Sequence, residues 1–167
     1  HMFTPESVVQ TQTMFNSDIQ MQLDVCSGWG VDRKEAVKSL KQTSDWLIRA
    51  KKEWEKQQEE KGYKGLLFPI VQGNFFEDLR KESAEFVASL EMPGIAIGGL
   101  SVGEPPEEFM HFMDYTCQNL PYEKPKYVMG IGTPEYILNA VSCGVDMFDC
   151  VLPTRNARNG AYFTHDG

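Results

Sequence analysis

Polar and glycine residues follow several apolar segments of the sequence, and their chemistry suits a planar heterocyclic ligand. Asp24 and Gln72 each stand where an apolar segment ends. A carboxylate and an amide together can accept hydrogen bonds from the edge of such a ring and donate to it. Gly98 and Gly99 follow a third apolar segment, and backbone without side chains can approach the same ring closely. These residues predict a pocket for a base-like ligand.

Asp149 is the candidate for covalent chemistry. It lies inside the apolar segment 147–152, which we expect to be a strand. A carboxylate in an apolar strand needs a physical reason, because desolvating a charge is costly. One interpretation is a buried salt bridge, and the other is an attacking carboxylate that forms a covalent glycosyl intermediate. The residue types alone leave both open.

The next segment, 153–160, carries two arginines and two asparagines between a proline and a glycine. We expect a loop there, with side chains suited to phosphates and base edges, or else a solvated basic loop without a ligand. The chain has 24 acidic and 16 basic residues, a net charge of −8, which argues against broad nucleic-acid affinity. Any contact with RNA is therefore predicted to be local or to use surface that this fragment lacks.

The elements that must position these residues alternate along the chain. Apolar segments typical of strands end at polar or glycine residues, and patterns typical of helices lie between them. The predicted strands cover 18–24, 66–71, 94–97, 127–129 and 147–152, and the predicted helices cover 32–62, 77–90, 105–120 and 133–141.

Strands that are apolar throughout must be covered on both faces, and helices between them imply right-handed parallel crossovers. The predicted fold class is therefore α/β with a parallel sheet. An open doubly wound sheet and a (β/α) barrel of the TIM type both fit, and both place chemistry at the carboxyl ends of the strands. A barrel has eight strand–helix units, and only about five are predicted here. Residues 1–2 are interpreted as a cloning scar, and on the barrel interpretation residues 3–167 are a partial barrel domain truncated at both ends.

Composition and length indicate a globular protein, since 41% of the 167 residues are apolar. The sequence has no apolar run of about 18 residues and no secretory signal, so we expect a cytoplasmic protein without a membrane partner. The four cysteines form no C-x-x-C pair and are expected to be reduced thiols.

Several segments, taken in order, resemble the tRNA-guanine transglycosylases, the queuine tRNA-ribosyltransferase family. The likeness extends through nearly the whole chain, and its most specific part surrounds Asp149. The bacterial members are the more similar ones, because Cys26 and Val102 resemble theirs. The segments that carry the resemblance are 24–26, 70–73, 98–104, 127–132 and 144–155.

The resemblance implies a (β/α)₈ barrel that exchanges guanine at the wobble position of certain tRNA anticodons for a 7-deazaguanine, in queuosine biosynthesis. Asp149 would be the nucleophile at the ribose anomeric carbon, giving a covalent RNA intermediate that the incoming base resolves. Tyr127 and Met129 would pack on the faces of the base. The full base site implied by the resemblance is Asp24, Cys26, Gln72, Gly98, Gly99, Leu100, Val102, Glu104, Tyr127 and Met129.

For the bacterial type, the resemblance implies that the incoming base is 7-aminomethyl-7-deazaguanine, with Glu104 facing its aminomethyl group. It also implies that two segments contact the anticodon loop. Their residues are Gly130, Ile131, Gly132, Thr133, Pro134, Glu135 and Tyr136 in the first, and Thr154, Arg155, Asn156, Ala157 and Arg158 in the second.

Two parts of the family's pattern are missing from the sequence. The second aspartate, which is the general base, would precede residue 1, and the cysteine–histidine zinc site would follow residue 167. We therefore expect no metal or cofactor in this fragment and a structural zinc in the full-length protein. The isolated fragment is predicted to be inactive, and the full-length protein is predicted to be a homodimer.

Two other functions stay open. A retaining glycosidase on a truncated barrel would need a second carboxylate about 5 Å from Asp149, and Asp24 is the only candidate at a strand end. A non-catalytic tRNA-binding subunit of a two-chain transglycosylase would be expected to lose the Asp149 motif, which is present here.

Overall fold

The computed structural model describes residues 2–164. His1, half of the predicted cloning scar, and residues 165–167 lie outside the described part. The strands are β1 (Ile19–Met21), β2 (Leu66–Phe68), β3 (Ile70–Val71), β4 (Ile95–Ile97), β5 (Lys126–Val128) and β6 (Met147–Phe148), and the helices are α1 (Pro5–Met14), α2 (Arg33–Lys61), α3 (Glu77–Ser89), α4 (Pro106–Gln118), α5 (Pro134–Ser142) and α6 (Leu152–Arg158).

The strands all pair in parallel, and paired neighbours follow one another in sequence. β1 pairs with β2, and β3, β4, β5 and β6 form a four-stranded sheet in that order. The predicted α/β class with a parallel sheet is confirmed. A doubly wound sheet reverses its strand order at a switch point, whereas the order from β3 to β6 continues in one direction, as it does in a barrel.

The segment 66–71, predicted as one strand, is two strands separated by Pro69. Proline has no backbone N–H to give to a ladder. At this point the side chain of Gln22 replaces a ladder bond, since its Oε1 accepts a hydrogen bond from the Ile70 N–H at 3.2 Å. The prediction of a continuous strand is wrong there, and the interruption lets β2 pair with β1 while β3 pairs with β4.

The two faces of the sheet are covered differently. Successive strand residues alternate between the faces, and Val71, Ile97 and Val128 pack in the large buried cluster with Leu47 of α2 and Phe109 of α4. The other face holds a smaller cluster without helix residues in the described chain, so helices cover one face only. The apolar side chains of this second face are Ile19, Met21, Phe68, Ile70, Ala96, Tyr127, Met129 and Met147.

The longest helix, α2, confirms the predicted range 32–62. The Asp32 side chain caps it by accepting from the Glu35 N–H, and Gly62 ends it in the left-handed conformation at φ 64°, where glycine has no Cβ to strain. Helix α1 is absent from the sequence-based prediction, although Thr4 is its N-cap and Pro5 its first residue. Within residues 2–164, no helix is long and apolar enough to cross a membrane.

The C-terminal region differs most from the prediction. The strand predicted over 147–152 ends at Phe148, and most of the loop predicted over 153–160 is helix α6. Pro153 is tolerated in the first helical turn because the N–H that it lacks has no acceptor there. Arg155, Ala157 and Arg158 are favourable helix residues, and the two arginines lie in the last turn, where a cation complements the helix dipole.

Candidate functional site

One cavity of about 350 Å³ gathers the loops that follow β1, β3, β4, β5 and β6. The sequence predicted this meeting because the carboxyl ends of parallel strands share one edge of a sheet. Every predicted base-site residue except Glu104 lines the cavity. Its lining residues are Asp24, Cys26, Gln72, Gly98, Gly99, Leu100, Ser101, Val102, Tyr127, Met129, Gly130 and Asp149.

Gln72 and Asp24 form a polar pair in this cavity. The Gln72 Nε2 donates to Asp24 Oδ2 at 2.7 Å, and the Gln72 backbone N–H donates to Ser83 Oγ at 3.0 Å. Burial raises the pKa of the Asp24 carboxyl, and the hydrogen bond from Gln72 partly opposes this rise. The pair offers a carboxyl group and an amide side by side, which is the hydrogen-bonding capacity expected from the sequence.

The glycines at 98 and 99 are required by the approach of Gln72. A Cβ at Gly99 would lie 2.3 Å from Gln72 Oε1, and a Cβ at Gly98 would lie 2.7 Å from Gln72 Nε2. Gly99 also has φ +68°, a conformation that costs an L-residue about 1–2 kcal/mol. The two glycines therefore let the backbone that follows β4 lie directly against the side-chain amide of Gln72.

Arg80 joins the loops that follow β3 and β4. The sequence-based prediction did not include it. It is fully buried, and its Nε, Nη1 and Nη2 donate to the carbonyl oxygens of Asn74, Gly98 and Gly99 at 2.8, 2.8 and 3.0 Å. A signal was available, because Arg80 lies at helical spacing from the buried Ser83 and from other buried residues of α3. An arginine on the covered face of a helix needs buried acceptors.

Asp149 follows β6 and is exposed. Its Oδ1 accepts two hydrogen bonds, from the Tyr127 hydroxyl at 2.6 Å and from the Gly130 N–H at 2.8 Å. The sequence-based prediction placed the Asp149 carboxylate inside an apolar strand. That placement is wrong, because β6 ends at Phe148. A buried salt bridge is excluded within the described residues, since Asp149 is exposed and has no cationic partner there. Burial raises the pKa of Tyr127, and its bond to Asp149 adds to the rise, so the phenol stays a donor.

Cys26 and Glu104 differ in their relation to the cavity. Burial and the Asp24 charge raise the pKa of the Cys26 thiol, and a hydrogen bond from the Gly99 backbone opposes the rise. The Glu104 carboxylate instead accepts from the backbone N–H groups of Ser101 and Val102, the second at 2.7 Å. Glu104 thus stabilises the loop to which it belongs. Its contact with an aminomethyl group stays a prediction.

The first predicted RNA segment is partly built into the fold. Ile131 is buried in the main cluster, and Tyr136 stacks on Phe109 with ring centroids 4.1 Å apart. A Cβ at Gly132 would lie 2.1 Å from Cys150 Cβ, so this glycine serves a close approach. Of this segment, the exposed residues are Gly130, Pro134 and Glu135.

The second predicted RNA segment forms α6, which contains no buried residue. Thr154, Arg155, Ala157 and Arg158 are exposed, and Asn156 is half-buried. No carboxylate in the described part of the chain forms an ion pair with either arginine. Two cations one turn apart are therefore available beside the Asp149 loop.

Residues 2–164 contain no cluster of three or more His, Cys, Asp or Glu side chains that could hold a metal ion. The four cysteines are free thiols, as the sequence predicted. The zinc prediction concerns sequence beyond residue 167.

A protein-family model described as Queuine tRNA-ribosyltransferase matches residues 1–167. This chain belongs to the queuine tRNA-ribosyltransferase family. The family membership predicted from the Asp149 segment and the other strand-end segments is confirmed. Relatives named Queuine tRNA-ribosyltransferase are similar throughout the chain.

The relative from Treponema denticola is 56% identical over 164 residues, which cover 98% of this chain and 43% of the relative. The relative from Borrelia hermsii is 52% identical over all 167 residues and 44% of its own length. The relative from Desulforapulum autotrophicum is also 52% identical over 167 residues. The chain thus spans less than half the length of these family members.

Proposed function

We propose that this chain is the base-binding and nucleophile-bearing part of a tRNA-guanine transglycosylase. The full-length protein exchanges guanine at the anticodon wobble position for 7-aminomethyl-7-deazaguanine, a step in queuosine biosynthesis. One observation carries the proposal: the cavity that contains the Asp24–Gln72 pair also contains an exposed carboxylate, Asp149, with one oxygen held by two donors.

The two oxygens of Asp149 have different roles in this mechanism. Oδ1 is fixed by Tyr127 and Gly130, so Oδ2 attacks C1′ of the ribose. The new O–C1′ bond forms as the C1′–N9 bond breaks, and the bonding electron pair leaves with guanine, which takes up one proton. In the second half, N9 of the incoming base loses a proton and attacks C1′, and Asp149 departs as a carboxylate.

Base recognition follows from the polar pair and the loop beside it. Asp24 and Gln72 bind the edge of the base, and the backbone at Gly99 and Leu100 supplies further donors. Tyr127 and Met129 line the same cavity and pack on the faces of the ring. Burial raises the pKa of Asp24, which suits a carboxyl group that contacts an uncharged base.

The rest of the full-length protein completes the site. The one-directional parallel strand order supports a (β/α)₈ barrel of which this chain supplies about five strand–helix units. The second aspartate for proton transfer, a structural zinc and the homodimer contact belong to the remaining sequence. Arg155 and Arg158 of α6 contact the anticodon loop, and the isolated chain is inactive because it lacks the proton-transfer partner.

The experiment is exchange of labelled guanine into tRNA by the full-length enzyme that carries this sequence. Asp149→Asn keeps the shape of the side chain and removes the nucleophile, and we expect exchange to fall by at least about 10⁴-fold. Asp149 is exposed, so the melting temperature of the variant should not change, and Asp146→Asn is the matched control, because Asp146 is an exposed carboxylate at the opposite end of β6.

Three outcomes would contradict the proposal. Exchange that survives in a folded Asp149→Asn variant would exclude the nucleophile. Binding of tRNA without exchange by the unmutated enzyme would indicate a non-catalytic subunit. Hydrolysis of a glycoside instead of exchange would indicate a retaining glycosidase, for which the second carboxylate would have to be Asp24.

A further inference from the structure

Arg80 is a buried cation that has no role in the exchange steps proposed above. It has no exposed surface, and burial lowers its pKa to about 10, so the guanidinium is charged at neutral pH. In the described part of the chain no carboxylate forms an ion pair with it. A buried charge without a counter-charge is costly, and here three backbone carbonyls accept hydrogen bonds from it, while the Glu104 charge also favours the charged form.

Two of those carbonyls belong to peptide units beside the base pocket. The Gly98 carbonyl shares a peptide unit with the Gly99 N–H, and the Gly99 carbonyl shares one with the Leu100 N–H. Both peptide bonds are trans, so each N–H points opposite to its carbonyl. Because the carbonyls point at Arg80, the two N–H groups point away from it.

The surroundings of these N–H groups agree with this direction. Gly99 and Leu100 line the cavity, whereas Arg80 does not. The Gly99 backbone lowers the pKa of Cys26, another cavity residue, and the Gly99 N–H has no backbone acceptor among residues 2–164. The Leu100 N–H has no acceptor among residues 2–164, so it is available to a ligand.

We propose that Arg80 is a positioning residue that polarises the Gly98–Gly99 and Gly99–Leu100 peptide units, so that their N–H groups stabilise negative charge on the departing base. The inference rests on the proposed function, since a base must depart. Hydrogen bonds in a chain strengthen one another, and a hydrogen bond to an ionised acceptor, such as a base that carries negative charge, is about twice as strong as one between neutral groups.

The role requires no proton transfer by Arg80. When the C1′–N9 bond breaks, the electron pair moves onto the base and spreads over its ring atoms and carbonyl oxygen. The two N–H groups face that charge at its maximum and are already oriented, which is the arrangement that lowers a barrier most effectively. Arg80 stays protonated throughout, and the base takes its proton from elsewhere.

The test measures how fast the covalent tRNA–protein adduct forms in a single turnover without added base, using the full-length enzyme. Arg80→Gln keeps two N–H donors and removes the charge, whereas Arg80→Lys keeps the charge. We expect adduct formation to slow by about 100-fold in Arg80→Gln and by less in Arg80→Lys, with the tRNA dissociation constant unchanged. Arg49→Gln is the control, because Arg49 is exposed and pairs with Glu6 between α1 and α2.

A second readout is independent of tRNA. The charge of Arg80 lowers the pKa of Cys26, so the pH midpoint for alkylation of Cys26, followed by mass spectrometry of its peptide, should rise in Arg80→Gln. An unchanged adduct rate in a folded Arg80→Gln variant overturns the inference. If Arg80→Gln does not fold, Arg80→Lys decides instead: an adduct rate about 100-fold slower, with the Cys26 midpoint unchanged, overturns the inference, because the charge would then be present without its effect.

Failure of the proposed function would be recognised separately. It would appear as no adduct with the unmutated enzyme, and the Cys26 midpoint would then still decide whether the charge of Arg80 reaches the cavity.

Discussion

The two sides of the cavity differ in how firmly the fold holds them. On the base side, Gln72, Gly98, Gly99 and Leu100 are buried, and the guanidinium of Arg80 joins their loops. On the nucleophile side, β6 is half-buried and pairs with β5 only, and α6 contains no buried residue. The proposed base-binding residues therefore belong to the core, whereas the proposed nucleophile lies at an open edge.

The difference has a physical origin in the strand order. β4, which leads to Gly98 and Gly99, has a strand on each side, and β3 has β4 on one side and the Gln22 side chain on the other. β6 is an end strand with one neighbour, and such a strand leaves polar backbone groups unpaired. Apolar side chains near that edge stay exposed, with Leu138 at 71% and Val151 at 59%. In the proposed full barrel, sequence outside this chain would cover this edge, and we expect it to hold the proposed nucleophile firmly.

The largest expected effect compares one side chain from each region. Phe109 is fully buried in the main cluster, so Phe109→Ala should lower the unfolding free energy of the chain by about 3–5 kcal/mol. Val151 is exposed, so Val151→Ala should change it by less than about 0.5 kcal/mol. Urea unfolding of both variants makes the comparison, and similar losses in both would show that the open edge is as firmly packed as the core.

The next effect sharpens the assignment of base binding to the buried side. Gln72→Leu removes the amide and leaves Asp24 unpaired, so the affinity of the full-length enzyme for the free base should fall by about 10- to 100-fold. Gln118→Leu is the control, because Gln118 is exposed on α4. Titration calorimetry measures both, and an unchanged affinity in Gln72→Leu would move base recognition away from the core.

The smallest expected effect is a pH dependence. Burial raises the folded-state pKa of Asp24 above its ordinary value of 3.8, so the folded chain keeps this proton to higher pH than the unfolded chain does. The contribution to stability is therefore fully present below pH 3.8 and is lost as pH rises through the folded-state pKa.

Asp24→Asn should remove that decline, and Asp45→Asn on the exposed face of α2 should leave it in place. Urea unfolding at several pH values from 4 to 7 gives the comparison. A decline that persists in Asp24→Asn would show that another group causes it.

The sequence predicted which residues meet in the cavity, because their meeting depends on residue type and strand order. Asp24, Gln72, Gly98 and Gly99 meet because parallel strands end at one edge, and the structure brings all of them into one cavity. Arg80 was missed although its spacing places it on the buried face of α3, because its partners are backbone carbonyls, which sequence patterns do not report.

The C-terminal region was predicted less well for a related reason. Helix α6 buries none of its residues, so it leaves no apolar periodicity to read. A short helix of this kind depends on its caps and local propensities. The loop predicted over 153–160 followed from proline and glycine at its ends, and those residues are also compatible with a helix that begins near a proline.

The most direct test of the central claim locates the covalent bond itself. The full-length enzyme is incubated with tRNA, the adduct is denatured and digested, and mass spectrometry identifies the side chain that carries the ribose. The mechanism predicts an ester on the carboxylate of Asp149 and none in Asp149→Asn. A ribose attached to Asp24 or to any other side chain would contradict it.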